Sequence, residues 1–546
     1  MKAKNYPLYK IDQVDNLKML ISMVSDKFGD SSAFIFEKNG AVVSISYRQL
    51  KRDIDLFGSV LCDLGVQNEA VSVIGENSYE WILSYFAVTN SGNVIVPLDR
   101  ELPVADVRNL IDYSNAKVLI YSDAYSDVAH YLQESGARIQ HYINMKTIPV
   151  LIQNKNALIS QGECKLLDFE VDSNKMAALL YTSGTTGAAK GVMLSHFGLI
   201  HDAIAATQYV GIFGNNMLVL PLHHSFGFTA GVCAMLLTGS EIAINSSLRN
   251  ISKDMQKFKP YNMFLVPLFV ETFYQKIWDT AKKNKKEGLL KSLIKLSNFL
   301  LKIKIDVRRI LFKSVLASFG GNLNLIVAGG APLDIKYVRG FRDIGINVLN
   351  GYGITECSPV VSVNRNKYYR DGSIGLVLPV CEVKIANPDE NKHGEIYVKG
   401  NIVMLGYYQN DKATKESFEG EWFKTGDIGY FDKDDFLYIV GRKKNLIVLK
   451  SGKNVYPEEL ELALLKQIEY IKEVVVYAMD DTIVAEIFLD VVNYPNCSSQ
   501  LSGDILSFNQ AQPMYKRICK PLIRETEFPK TTTKKIKRRY ETEGNI

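Results

Sequence analysis

Apolar residues recur every three or four positions in two segments near the start of the chain, residues 15–28 and 47–65, and this spacing predicts amphipathic helices. Short apolar runs rich in β-branched residues then alternate with further helical stretches. These runs lie at residues 71–74, 94–97, 117–121, 177–181, 241–244 and 325–328. Strands that alternate with helices predict an α/β protein with doubly wound, mostly parallel sheets.

The pattern changes near residue 372, where short strands separated by Gly and Asp begin. They lie at residues 381–386, 394–399 and 436–440 and favour a small, more antiparallel, barrel-like section. Residues 441–546 predict a separate α+β unit, with a helix near 457–468, strands at 473–478 and 483–490, and a basic tail. We therefore predict a large domain over residues 1–440 and a small C-terminal domain over residues 441–546.

One segment, residues 276–313, carries twelve Lys and Arg residues against three Asp and Glu, a net charge of +9, although the whole chain carries only +5. Apolar residues recur within it at helical spacing, which predicts a basic amphipathic helix. They are Leu289, Leu293, Leu296, Leu300 and Ile303. Such a helix suits an anionic membrane surface, and an equally open alternative packs it on its own domain as a solvated charged face.

Composition narrows the class of protein. The chain has 546 residues, 47% hydrophobic and 23% charged, as expected of a globular protein with more than one core. Its small net charge does not favour nucleic acid as a partner, and no run reaches the roughly 18–20 apolar residues of a membrane span. Seven dispersed cysteines without a CxxC pair predict reduced thiols in a cytoplasmic protein, with peripheral contact at the inner face of a membrane as an alternative.

The strongest chemical signal is the segment from Tyr181 to Gly191, YTSGTTGAAKG, which follows an apolar strand and precedes a helix predicted to begin near Ser195. Small residues let a backbone approach an anion closely, hydroxyl groups donate hydrogen bonds, and Lys190 adds a positive charge. The segment lacks the Gly-Lys-Ser/Thr end of a Walker A loop. It predicts a phosphate-binding loop, and the alternative is a flexible Gly/Thr turn.

This loop resembles the phosphate loop of the adenylate-forming superfamily, which includes acyl-CoA synthetases, luciferases and adenylation domains. Further motifs that resemble those of the family follow in order. They are GGAP at 329–332, GYGITE at 351–356, WFKTGD at 422–427, GRKKN at 441–445, SGKNVYPEE at 451–459 and PKTTTKKIKR at 529–538. The resemblance covers nearly the whole chain and is closest to bacterial-type long-chain fatty acid–CoA ligases.

The resemblance implies that the chain uses ATP, Mg²⁺ and CoA, and it implies a set of nucleotide-binding residues. These are Thr182, Ser183, Gly184, Thr185, Thr186, Gly187, Lys190, Gly329, Gly330, Ala331, Pro332, Gly351, Tyr352, Gly353, Asp427 and Arg442. Glu356 would hold the magnesium ion through hard carboxylate oxygens, and Thr355 would donate to the α-phosphate. Tyr352 would stack on adenine, and Asp427, assisted by Arg442, would accept hydrogen bonds from the ribose hydroxyls. Lys535 would be the catalytic cation of adenylation, next to Lys534, where the family usually has Gly.

In the family, the stretch that matches LPLHHSFGF, residues 220–228, forms part of the acyl pocket, and the resemblance singles out His224, Phe226 and Gly227. The stretch has no Asp or Glu, and a buried substrate ammonium without a carboxylate partner is costly, which argues against an α-amino acid. Residues 276–313 also resemble the extra helical segment of long-chain acyl-CoA synthetases. The resemblance therefore implies activation of a medium- to long-chain fatty acid as acyl-AMP.

For the second half-reaction, the resemblance implies that the small domain is mobile and rotates at Lys444. Ser451 and Gly452 would then line the tunnel for the pantetheine arm. The acyl acceptor would be the thiol of CoA. An acyl-carrier protein stays open as the acceptor because it carries the same arm, and an inactive basic scaffold at a membrane surface is a third alternative.

Overall fold

The computed structural model describes residues 6–162, 168, 170–182, 190–449, 453–479, 482–530, 536 and 538. By its internal contacts the chain divides into two compact units, Met1–Glu382 with Lys399–Phe423, and Val383–Val398 with Lys424–Ile546. The predicted boundary after residue 440 is that of a C-terminal domain that rotates, which the division by contacts does not test, so it stays a prediction.

The first unit contains two mostly parallel sheets. Both outer pairs of the nine-stranded sheet are antiparallel, whereas the seven-stranded sheet is antiparallel at the end that carries Gly406–Tyr407 and parallel at the end that carries His141–Asn144. The nine-stranded sheet has, in spatial order, the strands Leu376–Val377, Val360–Val363, Asn347–Gly353, Leu325–Ala328, Asn262–Leu265, Asn216–Leu218, Ile242–Ile244, Ser32–Lys38 and Ala41–Ser46. The seven-stranded sheet has Gly406–Tyr407, Lys190–Ser195, Met176–Thr182, Val94–Pro97, Ala70–Ile74, Val118–Tyr121 and His141–Asn144. All six predicted β-branched runs are strands of these sheets, so the α/β prediction is confirmed.

The helices of the first unit connect these strands. They are Leu17–Phe28, Tyr47–Asp63, Tyr79–Asn90, Val104–Ser114, Ser126–Glu134, Ile148–Ser160, His196–Tyr209, Ala234–Leu237, Ile251–Phe258, Pro267–Lys283, Glu287–Lys302, Arg308–Leu311, Lys313–Ala317, Ile335–Asp343 and Asp411–Glu416, with a π-helix at Phe226–Cys233. Four of the helices with twelve or more residues begin after a side chain that accepts a hydrogen bond from the backbone N–H three residues on, which satisfies an N–H that has no partner within the helix. These capping residues are Asn16, Ser46, Ser78 and Ser195.

Residues 276–313 contain an amphipathic helix that is flanked by two breaks. The helix Pro267–Lys283 ends before Lys285, which adopts a left-handed φ of 55°, and a second helix, Glu287–Lys302, follows. A second left-handed residue, Lys304, separates that helix from the short helices Arg308–Leu311 and Lys313–Ala317. The predicted basic amphipathic helix is confirmed as Glu287–Lys302, which carries Leu289, Leu293, Leu296 and Leu300, with Ile303 directly after it. Among the described residues, no helix combines the length and the apolar character needed to cross a membrane.

The second unit contains most of the residues of four strands, together with a further α+β section. The four strands are Cys381–Ala386, Gly394–Gly400, Trp422–Phe431 and Leu437–Arg442, and a short strand, Phe418–Glu419, pairs at the edge of the same sheet. Two other sheets follow, Ile447–Val448 with Asn454–Val455, and Ile471–Met479 with Thr482–Leu489 and Ile518–Arg524. The helices Pro457–Gln467 and Cys497–Gln510 pack with the three-stranded sheet around one apolar core, so the predicted C-terminal helix and strands are confirmed.

Candidate active site

Three segments singled out by the sequence lie at the ends of four neighbouring parallel strands of the nine-stranded sheet. The strands end at Leu218, Leu265, Ala328 and Gly353, and they lie next to one another in that order. Residues 220–228, 329–332 and 351–356 therefore occupy one edge of the sheet. The carboxyl edge of a doubly wound sheet is where ligands bind in such folds.

Glu356 lies on a tight loop between the strands Asn347–Gly353 and Val360–Val363, in the 3₁₀ turn Thr355–Cys357. The carbonyl oxygen of Glu356 accepts a hydrogen bond from the backbone N–H of Met404 (2.8 Å), and Ser358 Oγ donates to the carbonyl oxygen of Ile402 (2.7 Å). At the end of the loop, the buried carboxyl group of Asp202 accepts from the N–H of Val360 at 3.1 and 3.2 Å. The loop is thus fixed at three points.

Lys190 and Glu356 both contact the same side chain, that of Tyr407. Thr182 and Lys190 are paired across the antiparallel strands that flank the phosphate-loop segment. The Lys190 ammonium stands 4.6 Å from the centre of the Tyr407 ring, and the Tyr407 hydroxyl donates to Glu356 Oε1 over 3.0 Å. Tyr407 was not predicted from the sequence, because it is 51 residues from Glu356 and has no motif of its own.

Two predicted motif segments meet at the strand ends through close packing. A Cβ atom added to Gly329 would lie 3.3 Å from the ring of Phe226, and one added to Gly227 would lie 2.3 Å from the carbonyl oxygen of Pro221. Gly330 has a left-handed φ of 87°, which favours glycine. Tyr352, the residue predicted to stack on adenine, is buried at the end of its strand. Ala331 and Pro332, which follow Gly330, are exposed.

His224 belongs to a buried pair of histidines. The rings of His223 and His224 lie 4.2 Å apart, and His223 Nε2 is 3.5 Å from Asp99 Oδ1. Burial lowers the pKa of both histidines, so both are neutral near pH 7. The sequence interpretation missed His223 and Asp99. The residues around His224 and Phe228 are packed so closely that no water molecule fits between them.

In the second unit, Asp427 and Arg442 face each other on antiparallel strands. Arg442 Nε donates to Asp427 Oδ1 over 2.7 Å, and the side chain of Asp427 is 4% exposed. Glu395 holds the adjoining turn, because its two oxygens accept from the Gly426 N–H (3.2 Å) and from Lys443 Nζ (2.7 Å). The structure thus brings together the two residues predicted at the ribose.

The predicted hinge residue Lys444 lies in the 3₁₀ turn Lys443–Asn445, directly after the strand of Arg442. Asn445 Nδ2 donates to Glu458 Oε1 over 2.6 Å. A Cβ atom added to Gly441 would lie 2.6 Å from Glu458 Oε2. Ser183, Gly184, Thr185, Thr186, Gly187, Ser451, Gly452 and Lys535 lie outside the described residues.

The donor set at the strand-end edge fits a magnesium ion that is held largely by a substrate. No cluster of three or more His, Cys, Asp or Glu side chains suited to a metal occurs among the residues that the structure describes. Magnesium commonly binds through one or two carboxylates together with substrate phosphates rather than in an all-protein cage. Glu356 supplies one hard carboxylate at this edge, and Lys190 lies beyond Tyr407.

Comparison with known proteins identifies the family. The model of the AMP-binding enzyme family matches residues 22–408 of the chain. The chain belongs to the AMP-binding enzyme family. This AMP-binding enzyme is 30% identical over 430 residues to a long-chain-fatty-acid–CoA ligase, FadD15, of Mycobacterium bovis, with 73% of this chain and 70% of the relative covered.

Other relatives and structures place the AMP-binding enzyme among proteins of similar architecture. A chloroplastic long-chain-fatty-acid–[acyl-carrier-protein] ligase of Arabidopsis thaliana, AEE15, is 26% identical over 550 residues, with 84% of this chain and 74% of the relative covered. The crystal structure of the anthranilate CoA ligase AuaEII in complex with anthranoyl-AMP superimposes with a TM-score of 0.78 at 20% identity, over 98% of this chain and 97% of that chain. The fold prediction is thereby confirmed, and the individual residue roles stay predictions.

Proposed function

We propose that this AMP-binding enzyme activates a medium- to long-chain fatty acid with ATP, releases pyrophosphate, and transfers the acyl group from acyl-AMP to the thiol of CoA. The observation that carries the proposal is the grouping of Glu356, which lies beside the strand ends of the nine-stranded sheet, with Tyr407 and Lys190, which lie on neighbouring strands of the seven-stranded sheet. One carboxylate and one cation held in a fixed relation are what a magnesium-bound triphosphate requires, because adenylation depends mainly on positioning and charge neutralisation.

Each residue has a separate task in this mechanism. When bound, a magnesium ion supplies positive charge to the phosphate oxygens, and Glu356 would hold it. Lys190 neutralises phosphate charge, and Thr355 donates to the α-phosphate that the fatty-acid carboxylate attacks. Lys535 brings a cation to that carboxylate. The bond between the α-phosphorus and the bridging oxygen breaks as the acyl–oxygen–phosphorus bond forms, and pyrophosphate leaves with the bond electrons.

The character of residues 220–228 supports a fatty acid as the substrate. The described residues that line the space beside His224 are uncharged, with Tyr85, Leu199, Leu222 and Phe228 among them, and the Asp99 carboxylate lies against His223, 3.5 Å from its Nε2. Because burial lowers the pKa of His224, the side chain offers no counter-charge to a second ionic group on the substrate. The Mycobacterium bovis relative is named a long-chain-fatty-acid–CoA ligase, which also supports a fatty acid as the substrate.

A substrate panel tests the proposal. Pyrophosphate release and acyl-thioester formation are measured with saturated acids from C4 to C18, with anthranilate and with leucine, each with ATP and CoA. We expect turnover to peak between C8 and C18 and to be lost in Glu356→Gln but kept in Glu382→Gln, a control at an exposed carboxylate. Turnover of anthranilate or leucine in preference to every fatty acid refutes the substrate class. Absence of pyrophosphate release with all acids favours the inactive scaffold.

An acyl-carrier protein is the alternative acceptor. It is supported by the Arabidopsis thaliana relative, which is named a long-chain-fatty-acid–[acyl-carrier-protein] ligase. The two acceptors share the pantetheine thiol and differ in what is attached beyond it. Parallel assays with CoA and with phosphopantetheinylated acyl-carrier protein, both at limiting concentration, separate them. Faster acyl transfer to the protein at every concentration overturns CoA as the acceptor and leaves the adenylation step of the proposal intact.

The chain also has a surface suited to peripheral contact with an anionic membrane, which forms the second part of the proposal. Apolar side chains on and just after the helix Glu287–Lys302 are 47–75% exposed. They are Leu289, Leu296, Phe299, Ile303, Ile305 and Ile310. Seven-residue spacing puts Leu289, Leu296 and Ile303 on one helical face. Leu290 and Ser297, each one position further on, are buried against the domain.

Exposed lysines surround this apolar face. They are Lys282, Lys283, Lys285, Lys286, Lys291, Lys295, Lys302 and Lys304. Each lysine near an anionic surface contributes about 1 kcal/mol of attraction, which fades within a Debye length of about 8 Å. The two arginines nearby have another task, because Arg308 donates to the carbonyl oxygen of Arg342 and Arg309 to that of Leu323.

Vesicle co-sedimentation tests this contact. We expect binding to vesicles that contain phosphatidylserine at low salt, weaker binding at high salt, and none to neutral phosphatidylcholine vesicles. Phe299→Ser with Ile303→Ser should abolish binding, whereas Val150→Ser with Leu158→Ser, exposed apolar residues of the helix Ile148–Ser160, should not. If the unmodified protein ignores anionic vesicles at low salt, the segment is a solvated face and the membrane contact is wrong.

A further inference from the structure

Tyr407 lies on the short strand Gly406–Tyr407 at the edge of the seven-stranded sheet, paired with the strand Lys190–Ser195. Tyr407 is opposite Val192, two residues from Lys190. Its side chain is buried, with the ring beside the Lys190 ammonium and the hydroxyl on Glu356 Oε1. One tyrosine therefore contacts both the cation and the carboxylate that the proposed function assigns to the nucleotide.

The two contacts differ in kind and can be separated chemically. An ammonium beside an aromatic face is attracted by the ring itself, and phenylalanine keeps that attraction. The hydroxyl donates to a charged acceptor, which makes it one of the stronger types of hydrogen bond.

The segment that carries Tyr407 also fixes the backbone of the Glu356 loop. Met404 donates its N–H to the carbonyl oxygen of Glu356, and Ile402 accepts from Ser358. Backbone and side chain of Glu356 are thus both held by residues 402–407. A free glutamate side chain has several rotamers, and fixing it before the ligand binds lowers the entropy lost on binding.

We infer that Tyr407 is a positioning residue that holds Glu356 and Lys190 in the relation needed by a magnesium-bound nucleotide, its hydroxyl acting on the metal side and its ring on the phosphate side. The inference rests on the proposed function, because the metal and phosphate roles come from there. The competing view is that Tyr407 only closes the sheet edge, as Tyr408 does through its contacts with Gly191 and Tyr113.

Three variants separate these views, and equilibrium binding is the main readout. Tyr407→Phe removes the hydroxyl and keeps the ring, Tyr407→Leu removes both, and Tyr408→Phe is the matched control. Isothermal titration calorimetry measures the affinity for ATP with EDTA present and for ATP with Mg²⁺. Thermal melting of each variant, with and without ATP and Mg²⁺, checks the fold.

We expect Tyr407→Phe to lose about tenfold in the affinity gained from Mg²⁺, as for a hydrogen bond to a charged group, with its affinity for metal-free ATP unchanged. Tyr407→Leu should lose both that gain and about two- to fivefold in affinity for metal-free ATP. Tyr408→Phe should match the unmodified protein. Equal Mg²⁺ gains in Tyr407→Phe and Tyr408→Phe overturn the inference.

The outcome is independent of the substrate. If no acid supports pyrophosphate release but the Mg²⁺ gain falls in Tyr407→Phe, the proposed function fails and the inference stands. A Tyr407→Leu variant that melts well below the others is replaced by Tyr407→Met, which also lacks the ring and keeps a large apolar side chain.

Discussion

The ion pair of Asp427 and Arg442 allows the structural and functional parts of a binding residue to be separated. The Asp427 side chain is 4% exposed and that of Arg442 is 36% exposed. Arg442→Ala leaves a buried carboxylate without this cation. Breaking a fully buried pair costs about 3–5 kcal/mol, and because water reaches Arg442 we expect about 2 kcal/mol of local stability to be lost. That corresponds to about 30-fold in the local opening equilibrium.

Hydrogen exchange by mass spectrometry on peptides from residues 422–442 measures this opening directly. Asp427→Asn should cost less than Arg442→Ala, because a neutral amide needs no counter-charge. The double variant Asp427→Asn with Arg442→Ala should therefore regain most of the protection lost in Arg442→Ala. Protection that is unchanged in Arg442→Ala, or that falls further in the double variant, refutes the energetic argument.

ATP affinity of the same variants tests the predicted ribose contact. If Asp427 accepts hydrogen bonds from the ribose, Asp427→Asn and the double variant should both bind ATP at least tenfold more weakly, whatever their protection. Control titrations with inorganic triphosphate, which lacks the ribose, should give equal affinities for all variants. Full recovery of ATP affinity in the double variant makes Asp427 a partner of Arg442 only.

Three further predictions follow from single groups. Lys535→Ala should slow adenylation by about 10²–10³-fold and spare thioester formation from supplied acyl-AMP, measured as separate half-reactions, and a larger effect of Lys534→Ala refutes this assignment. N-ethylmaleimide should react slowly with Cys62 and Cys233 and leave pyrophosphate release unchanged, because burial raises the pKa of Cys62 to about 11 and that of Cys233 higher still. Rapid inhibition that Cys519→Ala, a change at an exposed cysteine, does not prevent would contradict this. Burial lowers the pKa of His196 to about 4, below its unfolded value of 6.5, so the folded state loses stability as the pH falls from 6.5 to 4. In urea unfolding, acidification from pH 7 to pH 4 should therefore cost the unmodified protein about 3 kcal/mol more than it costs His196→Gln. Equal losses in the two proteins contradict this.

The elements that the sequence predicted correctly are those with local causes. Ser195 caps its helix, and the run at residues 325–328 is an inner strand buried on both faces, so propensity and burial act together. At residues 276–313 the breaks on either side of the helix Glu287–Lys302 were not predicted, because Lys285 and Lys304 adopt left-handed conformations and neither is Gly or Pro. Nothing in local spacing distinguishes a lysine that ends a helix from one that continues it.

The candidate site was predictable only where motifs carry it. Glu356 and Lys190 belong to recognisable segments, whereas Tyr407 and Asp202 contribute through pairings with residues 51 and 158 positions away. Such contacts depend on which strands become neighbours, which a single sequence does not encode locally. The only local indication of a role for Tyr407 was that an aromatic residue follows Gly406. An aromatic residue is equally typical of an ordinary strand, so it did not point to the site.

The glycines of the predicted nucleotide motifs have a second physical cause besides approach to a ligand. A Cβ atom added to Gly353 would lie 2.0 Å from the carbonyl oxygen of Pro359, and one added to Gly351 would lie 3.3 Å from that of Ser362. At Gly353 the loop that carries Glu356 closes against its own backbone, with the Ile354 N–H donating to the same Pro359 oxygen over 2.9 Å. Glycine is therefore required at this position by the shape of the loop alone. A motif match at Gly353 therefore indicates that the shape of the Glu356 loop is preserved. A Gly353→Ala variant would lose nucleotide binding because Glu356 is displaced, and this loss requires no contact between Gly353 and the nucleotide.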